Sequence, residues 1–123
     1  MTTREAAVRI GKLLDEHRCI DPVVLCMQGI SDVADFFVVA TVVSGAHLRG
    51  VLRGVAGLTS GGETWVPYRP HGNRKRPGTL GWELVDCGEV LVHLMDQRSR
   101  EFYELERLWF NAERVELTGS GST

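Results

Sequence analysis

A nearly continuous apolar run, residues 35–43, constrains the fold of this 123-residue chain more than any other segment. It is rich in Phe and Val and lacks polar alternation, and strands of this kind are covered on both faces by helices. Segments with helical spacing of apolar residues stand on either side of the run. Thr3 is a suitable N-cap for the first, residues 3–17, and Ser44 for the second. A buried strand between helices predicts a layered α/β domain.

Four further segments have the length and apolar content of short strands, namely residues 23–27, 65–68, 82–86 and 90–94. Asp21 and Pro22 are expected to break the chain before the first of them, because the residue before a proline is pushed out of the helical conformation. Pro67 favours an edge position for the second segment. The last two segments are joined by the short connection 87–89, which predicts an antiparallel hairpin.

The remaining segments complete the predicted order. Residues 71–81 carry Gly, Pro and basic side chains and are predicted as a loop, whereas residues 97–107 have helical spacing. Residues 117–123 have the composition of a flexible tail. We therefore predict one α/β domain, residues 1–116, with a mixed sheet flanked by helices.

The composition is that of an ordinary globular protein, with 43% hydrophobic and 24% charged residues. The net charge is −2, so no overall positive field draws the chain to nucleic acid. One local basic stretch contains Arg69, Arg74, Lys75 and Arg76. It is either a solvated loop or a minor phosphate contact with RNA, which would matter only as part of a larger surface.

The cysteine and hydropathy patterns favour a reducing compartment. Cys19, Cys26 and Cys87 are odd in number and form no C-x-x-C pair, so neither a disulfide framework nor a zinc site is predicted. The first residues lack the apolar segment of a signal peptide, and no run approaches the ~20 residues that a membrane-spanning helix needs. We expect a cytoplasmic protein without membrane association.

Residues capable of catalysis occur, but their spacing predicts no catalytic, cofactor-binding or metal site. No phosphate loop of the type G-x-x-x-x-G-K-[ST] is found. Ser44 and His47 have no carboxylate nearby in sequence that could complete a triad. Asp35, Asp86 and Asp96 stand at strand ends, but no D-x-D or D-x-E pair supplies the converging carboxylates of two-metal chemistry. The chain is therefore predicted not to be an enzyme.

Some residues suit a binding role as well as a structural one. His93 lies in the middle of the second hairpin strand, where it is either a hydrogen-bonded structural histidine or a partner contact. Trp82 opens the first hairpin strand beside the basic loop, and Tyr103 lies on the last helix. Trp, Tyr and Arg are the residues most enriched at binding hot spots. Trp82 is therefore either a residue of core or edge packing or an interface residue.

Two parts of the sequence resemble the blocks of a known family. Residues 29–41, followed by Ser44 and His47, resemble the block G-x-S-x-x-A-D-Y-F-V-I-A-T-G-x-S-x-x-H. Residues 82–93 and 100–109 resemble W-x-x-x-D-x-G-D-V-V-V-H and R-x-F-Y-x-L-E-x-L-W. These blocks are similar to those of the ribosomal silencing factor family, also called Iojap. The chain departs from the family pattern at a few positions, which are Cys26, Val42, Gly45, Ala46 and His71.

The resemblance implies a nucleotidyltransferase-like α/β fold without transferase activity. It also implies that the chain binds the large ribosomal subunit at its L-fourteen protein, blocks joining to the small subunit and represses translation. Many members of the family are dimers when isolated, so a homodimer is a further expectation. The residues expected to contact the partner are Trp82, Asp86, His93, Arg100 and Tyr103. Two other functions remain open: a homodimeric interaction protein that has diverged from ribosome binding, and a diverged nucleotidyltransferase.

Overall fold

The computed structural model describes residues 2–59, 66–74, 81–103 and 111–117, and for residues 71–74, 102 and 103 it describes the backbone alone. Within these ranges the helices are α1 (Thr3–Glu16), α2 (Gly45–Leu58) and α3 (Gln97–Tyr103). The strands are β1 (Ile20–Cys26), β2 (Phe36–Thr41), β3 (Arg69–Arg74), β4 (Trp82–Cys87), β5 (Val90–Met95) and β6 (Glu113–Val115). None of the described helices is long and apolar enough to cross a membrane.

The strands form one mixed sheet in the order β3-β4-β5-β2-β1-β6. β2 and β5 pair in parallel, and the other neighbouring strands pair antiparallel. Every side chain of β2 is buried, which confirms the prediction from the apolar run. The β4–β5 hairpin is also confirmed, with Cys87 opposite Val90 across a turn of Gly88 and Glu89. The single α/β domain with a mixed sheet is therefore as predicted.

Alternating side chains divide the apolar core between two faces of the sheet. On the first face, Phe36, Val38 and Ala40 of β2 pack with apolar residues of α1 and α2. On the second face, Phe37 and Val39 pack with apolar residues of β1, β4 and β5. Residues one apart on a strand point to opposite faces, so the position along each strand decides which layer a side chain contacts.

The first two helices each begin at a hydroxyl N-cap. Thr2, and not Thr3 as predicted, caps α1, because its hydroxyl accepts the Glu5 N–H at 3.1 Å while the Glu5 carboxylate accepts the Thr2 N–H at 2.8 Å. This reciprocal capping box satisfies two backbone donors. Ser44 caps α2 as predicted, and its hydroxyl accepts the His47 N–H at 3.0 Å.

His47 joins the start of α2 to the end of α1. Its Nδ1 accepts the backbone N–H of Val43 at 3.1 Å, and its Nε2 lies 2.7 Å from the carbonyl oxygen of His17. Since the backbone N–H of Val43 can only donate, the proton of the His47 ring is on Nε2 and is donated to His17. His47 therefore has a structural role between the two helices.

Strand β1 was predicted to begin after Pro22, but it begins two residues before that proline. It starts at Ile20 and includes Pro22, and its register with β2 shifts between Ile20 and Val23. β6 pairs only with residues 24–26 of β1, so the missing N–H of Pro22 removes no hydrogen bond to β6. Asp21 adopts a φ of 51° at this irregularity. The predicted break is therefore an irregularity inside the strand.

The two edge strands also differ from the prediction. β3 occupies part of the segment predicted as a loop, while the described residues 66–68 have no regular structure. The predicted strand 65–68 is therefore wrong, although an edge strand that contains a proline does follow it. Pro70 lies at a register shift in the β3–β4 pairing, where a missing donor is tolerated. No periodicity predicts β6, whose three residues pair with β1.

The C-terminal segment begins close to the core. Leu117, which composition alone assigned to the flexible tail, packs against the core of the first face. Residues 118–123 lie outside the described residues, and the domain boundary after residue 116 remains a prediction.

Candidate partner-binding surface

Strand β4 carries a row of partly exposed side chains on the second face of the sheet. Its burial alternates, so that Trp82, Leu84 and Asp86 are partly exposed while the residues between them are buried. Arg69 of β3 lies opposite Asp86 in the register. We call Arg69, Trp82, Leu84 and Asp86 the β4 surface. It combines an aromatic and an aliphatic side chain with one charge of each sign.

The indole of Trp82 is fixed to a side chain of the neighbouring strand. Its Nε1 donates a hydrogen bond to Nδ1 of His93 at 3.1 Å, and the two ring centroids are 5.6 Å apart. The His93 ring also contacts Phe37 of β2, with centroids 4.7 Å apart. The three rings therefore connect the β4 surface to the second-face core.

His93 is buried and neutral. The residue is 3% exposed, and this burial lowers the pKa of His93 to about 4. Because Nδ1 accepts the hydrogen bond from Trp82, the ring proton must be on Nε2. Among the described residues, Nε2 of His93 has no hydrogen-bond partner. Of the two roles that the sequence left open for His93, the structure shows the hydrogen-bonded histidine, with a bond through Nδ1 alone among the described residues.

Asp86 is held by the hairpin turn. Its Oδ1 accepts the backbone N–H of Gly88 at 2.9 Å, and its Oδ2 lies 3.9 Å from Nη1 of Arg69. The Arg69 side chain is 63% exposed, so this ion pair contributes little to stability. Both charges remain accessible at the rim of the β4 surface.

Arg100 has a different setting from the other predicted contact residues. It is 7% exposed, and its Nη1 donates to the carbonyl oxygen of Ile20 at 3.2 Å and to the Thr41 hydroxyl at 3.1 Å. Its Nη2 lies 3.5 Å from Oδ2 of Asp21. Thr41 of β2 is separated from Trp82 of β4 by strand β5. Arg100 therefore joins α3 to β1 and β2 and lies outside the β4 surface.

Other predicted residues are only partly covered by the structure. Tyr103 is the last described residue of α3, which begins at the predicted position, but its side chain lies outside the described residues. Lys75 and Arg76 lie outside the described residues as well, and Arg74 is described by its backbone alone. The structure therefore brings Trp82 and His93 into contact and places Asp86 farther along β4 on the same face, whereas the side chains of Arg74, Lys75 and Arg76 lie outside the described residues.

An open groove of about 1000 Å³, which no sequence pattern predicts, lies between α1 and β6. Its walls carry both charge signs, and Arg4 forms an exposed salt bridge of 3.2 Å with Glu113 across it. Mixed and partly paired charges favour no single ligand class. In the part of the chain that the structure describes, no group of three or more His, Cys, Asp or Glu side chains could hold a metal ion.

Comparison with known proteins decides the family. Residues 1–123 match a family model described as "Ribosomal silencing factor during starvation". The chain belongs to the ribosomal silencing factor family. Regulation of translation follows from this membership, and the resemblance drawn from the two sequence blocks is confirmed.

Named relatives agree with the family assignment. The ribosomal silencing factor of Treponema pallidum is 34% identical over 111 residues, with 89% of this chain and 94% of that protein covered. The ribosomal silencing factor of Bacillus subtilis is 31% identical over 103 residues, with 84% and 83% covered. The chloroplastic Iojap protein of Zea mays is 31% identical over 90% of this chain, which spans 46% of that longer protein.

Solved structures agree with the fold of the silencing-factor chain. A crystal structure of a Bacillus halodurans protein has a TM-score of 0.64 at 27% identity, with 92% of this chain and 95% of that chain covered. A Chromobacterium violaceum protein has a TM-score of 0.73 at 24% identity, with 94% and 92% covered, and supports the fold alone. The expected likeness to nucleotidyltransferases remains a prediction.

Proposed function

We propose that this chain binds the large ribosomal subunit at its L-fourteen protein, blocks joining to the small subunit and thereby represses translation. The observation that carries the proposal is the family match over all 123 residues, together with relatives of similar length that are named ribosomal silencing factors. The chain acts by occupying a surface, without catalysing a reaction.

The β4 surface is the proposed contact with the partner. Protein interfaces have an apolar centre and a polar rim, and their hot spots are enriched in Trp and Arg. Trp82 and Leu84 supply partly exposed apolar area, and Asp86 and Arg69 supply accessible charges beside them. With a net charge of −2, the chain has no overall attraction to ribosomal RNA, which favours a protein partner.

The other predicted contact residues have proposed roles of two kinds. Tyr103 is proposed to contact the partner from the end of α3, which lies against β5. Arg100 acts indirectly, because its buried guanidinium fixes α3 to Ile20 and Thr41. Any contact of Arg74, Lys75 and Arg76 with RNA is minor and weakens at high salt.

Sedimentation with ribosomal subunits tests the binding. We expect the tagged chain to migrate with free large subunits in a sucrose gradient. Trp82→Ala should weaken the affinity by about 30-fold, because truncating an aromatic hot spot costs about 2 kcal/mol. Val43→Ala is the matched control, since Val43 is an exposed apolar residue outside the β4 surface and should bind as the parent does.

The gradient also separates the proposal from its alternatives. A chain that stays at the top of the gradient under all conditions contradicts ribosome binding and favours a diverged interaction protein. If Trp82→Ala keeps its circular dichroism spectrum and binds as tightly as the parent, the partner contacts another surface. The expected homodimer is measured independently by light scattering of the isolated chain.

A further inference from the structure

The hydrogen bond between Trp82 and His93 links a partly exposed side chain of the β4 surface to a buried one. We propose that His93 is a positioning residue for partner binding, which holds the Trp82 indole in the orientation that meets the partner. This inference rests on the proposed function, in which Trp82 is a contact residue. His93 itself is buried, so it acts on the partner only through Trp82.

Two contacts with His93 restrict the indole of Trp82. The Nε1–H of Trp82 is donated to Nδ1 of His93 at 3.1 Å, and the rings lie at an angle of 35° with centroids 5.6 Å apart. A tryptophan has two side-chain torsions, and a partly exposed ring without a fixed hydrogen bond populates several rotamers. Fixing one rotamer before binding lowers the entropy that association must otherwise overcome.

The acceptor is itself held in place. The ring centroids of His93 and Phe37 of β2 are 4.7 Å apart. In the sheet register, His93 lies between Leu84 of β4 and Val39 of β2. A buried ring between two paired strands cannot turn away from Trp82 without disturbing the core. Nδ1 therefore remains directed at the position of the indole N–H.

Folding alone does not favour a histidine at this position. Nε2 of His93 is buried without a hydrogen-bond partner among the described residues, and a buried unpaired donor destabilises the folded state. An aliphatic residue would fill the same space without an unpaired donor. Retaining a less stable residue is typical of positions that serve function. At this position His93 supplies the hydrogen-bond acceptor for Trp82, which an aliphatic residue would lack.

Three variants separate positioning from structure. His93→Leu removes the acceptor, and His93→Asn keeps an acceptor near the position of Nδ1. Trp82→Phe removes the donor together with the five-membered ring that carries it and keeps an aromatic side chain. The affinity of each full chain is measured with isolated, labelled L-fourteen protein by fluorescence anisotropy. Melting temperatures are measured in parallel at neutral pH.

We expect His93→Leu to weaken the affinity roughly 3- to 10-fold, the range that one hydrogen bond contributes. Its melting temperature should equal or exceed that of the parent, and His93→Asn should recover most of the affinity. Trp82→Phe should bind at least as weakly as His93→Leu. In the Trp82→Phe background, His93→Leu should cause no further loss, because the hydrogen bond is already absent.

A spectroscopic measurement follows the same bond directly. The indole N–H resonance of Trp82, identified by its loss in Trp82→Phe, should move towards the position of a water-exposed indole in His93→Leu. His93→Asn should leave it closer to the parent position. This shift reports the orientation of the indole without reference to the partner.

The outcomes distinguish the two proposals. If Trp82→Ala weakens binding and His93→Leu binds as the parent does, the positioning role is overturned while the β4 surface stands. An equal loss from His93→Leu in the parent and in Trp82→Phe also overturns it, because His93 then acts through another residue. If neither Trp82→Ala nor His93→Leu changes binding, the β4 surface and the positioning role both fail.

Discussion

Gly11 of α1 lies so close to Val24 of β1 that a β-carbon at residue 11 would come within 2.8 Å of Val24 Cγ2. The same β-carbon would come within 2.6 Å of Cδ2 of Leu117. The absence of a side chain at Gly11 therefore allows α1, β1 and the C-terminal segment to meet on the first face.

Gly11→Ala should lower the free energy of unfolding by about 1–3 kcal/mol, because the added methyl group overpacks a buried contact. Gly50→Ala is the matched control in α2, where the nearest atom to the added carbon is Arg53 Nη2 at 4.0 Å. That substitution should stabilise by about 0.5–1 kcal/mol, since alanine favours the helix. Urea unfolding measures both, and a stabilising Gly11→Ala would contradict the described packing.

Gly88→Val should also destabilise the chain. Gly88 has a φ of +80° in the β4–β5 turn, and a β-carbon there would lie 3.2 Å from Cδ of Pro67. A left-handed conformation costs a residue with a side chain about 1–2 kcal/mol, and a β-branched one more. Glu89→Ala, in the same turn, should be close to neutral because the Glu89 side chain is exposed. Thermal unfolding compares the two, and an unchanged melting temperature for Gly88→Val would contradict the turn.

The stability of the chain should fall below neutral pH because of His93. Burial lowers its pKa from 6.5 to about 4, so between these values the unfolded chain binds more protons than the folded chain. The contribution of neutral His93 is therefore complete above pH ~6.5 and is lost as the pH falls towards ~4, and it amounts to about 3 kcal/mol at most. The parent should lose more unfolding free energy than His93→Leu between pH 7 and pH 4. If the free energy of unfolding falls equally in the two proteins between pH 7 and pH 4, His93 is not the source of the pH dependence.

The thiols should differ in reactivity. Burial raises the pKa of Cys19 to about 11 and that of Cys87 to about 12, with smaller contributions from Asp15 and Asp86. Both thiols stay protonated at pH 8, so the partly buried Cys26 should react first with a thiol reagent in the native chain. All three should react in denaturant without reductant. Fewer than three reactive thiols per chain would indicate a disulfide and would contradict the three free cysteines of the structure.

Local sequence patterns predicted the elements whose formation depends on nearby residues. The apolar run of β2, the hairpin turn at Gly88 and the N-cap at Ser44 each follow from a few adjacent residues, and the structure confirms them. β6 could not be predicted, because three residues carry no periodicity and the strand exists only through its pairing with β1. β3 was misplaced for the same reason, since its pairing with β4 outweighs the poor strand propensity of Pro70.

The candidate site was predicted as a set of residues but not as an arrangement. Trp82 and His93 are eleven positions apart, and their contact depends on a hairpin register that places Leu84 opposite His93. The length of the turn sets the register of the hairpin, and a shift of one residue moves every side chain of a strand to the other face. Sequence spacing alone therefore does not determine which side chains meet. Arg100 was grouped with Trp82 by the resemblance, whereas its bonds to Ile20 and Thr41 direct it into the fold.

Subunit joining tests the central claim most directly. Purified large and small ribosomal subunits are mixed with the chain under conditions that favour association, and the fraction of joined ribosomes is measured by light scattering. We expect the parent and Val43→Ala to lower this fraction in proportion to their binding, and Trp82→Ala to require about 30-fold more protein for the same effect. If the parent sediments with large subunits and the joined fraction is unchanged at saturation, the chain does not silence ribosomes by blocking subunit joining.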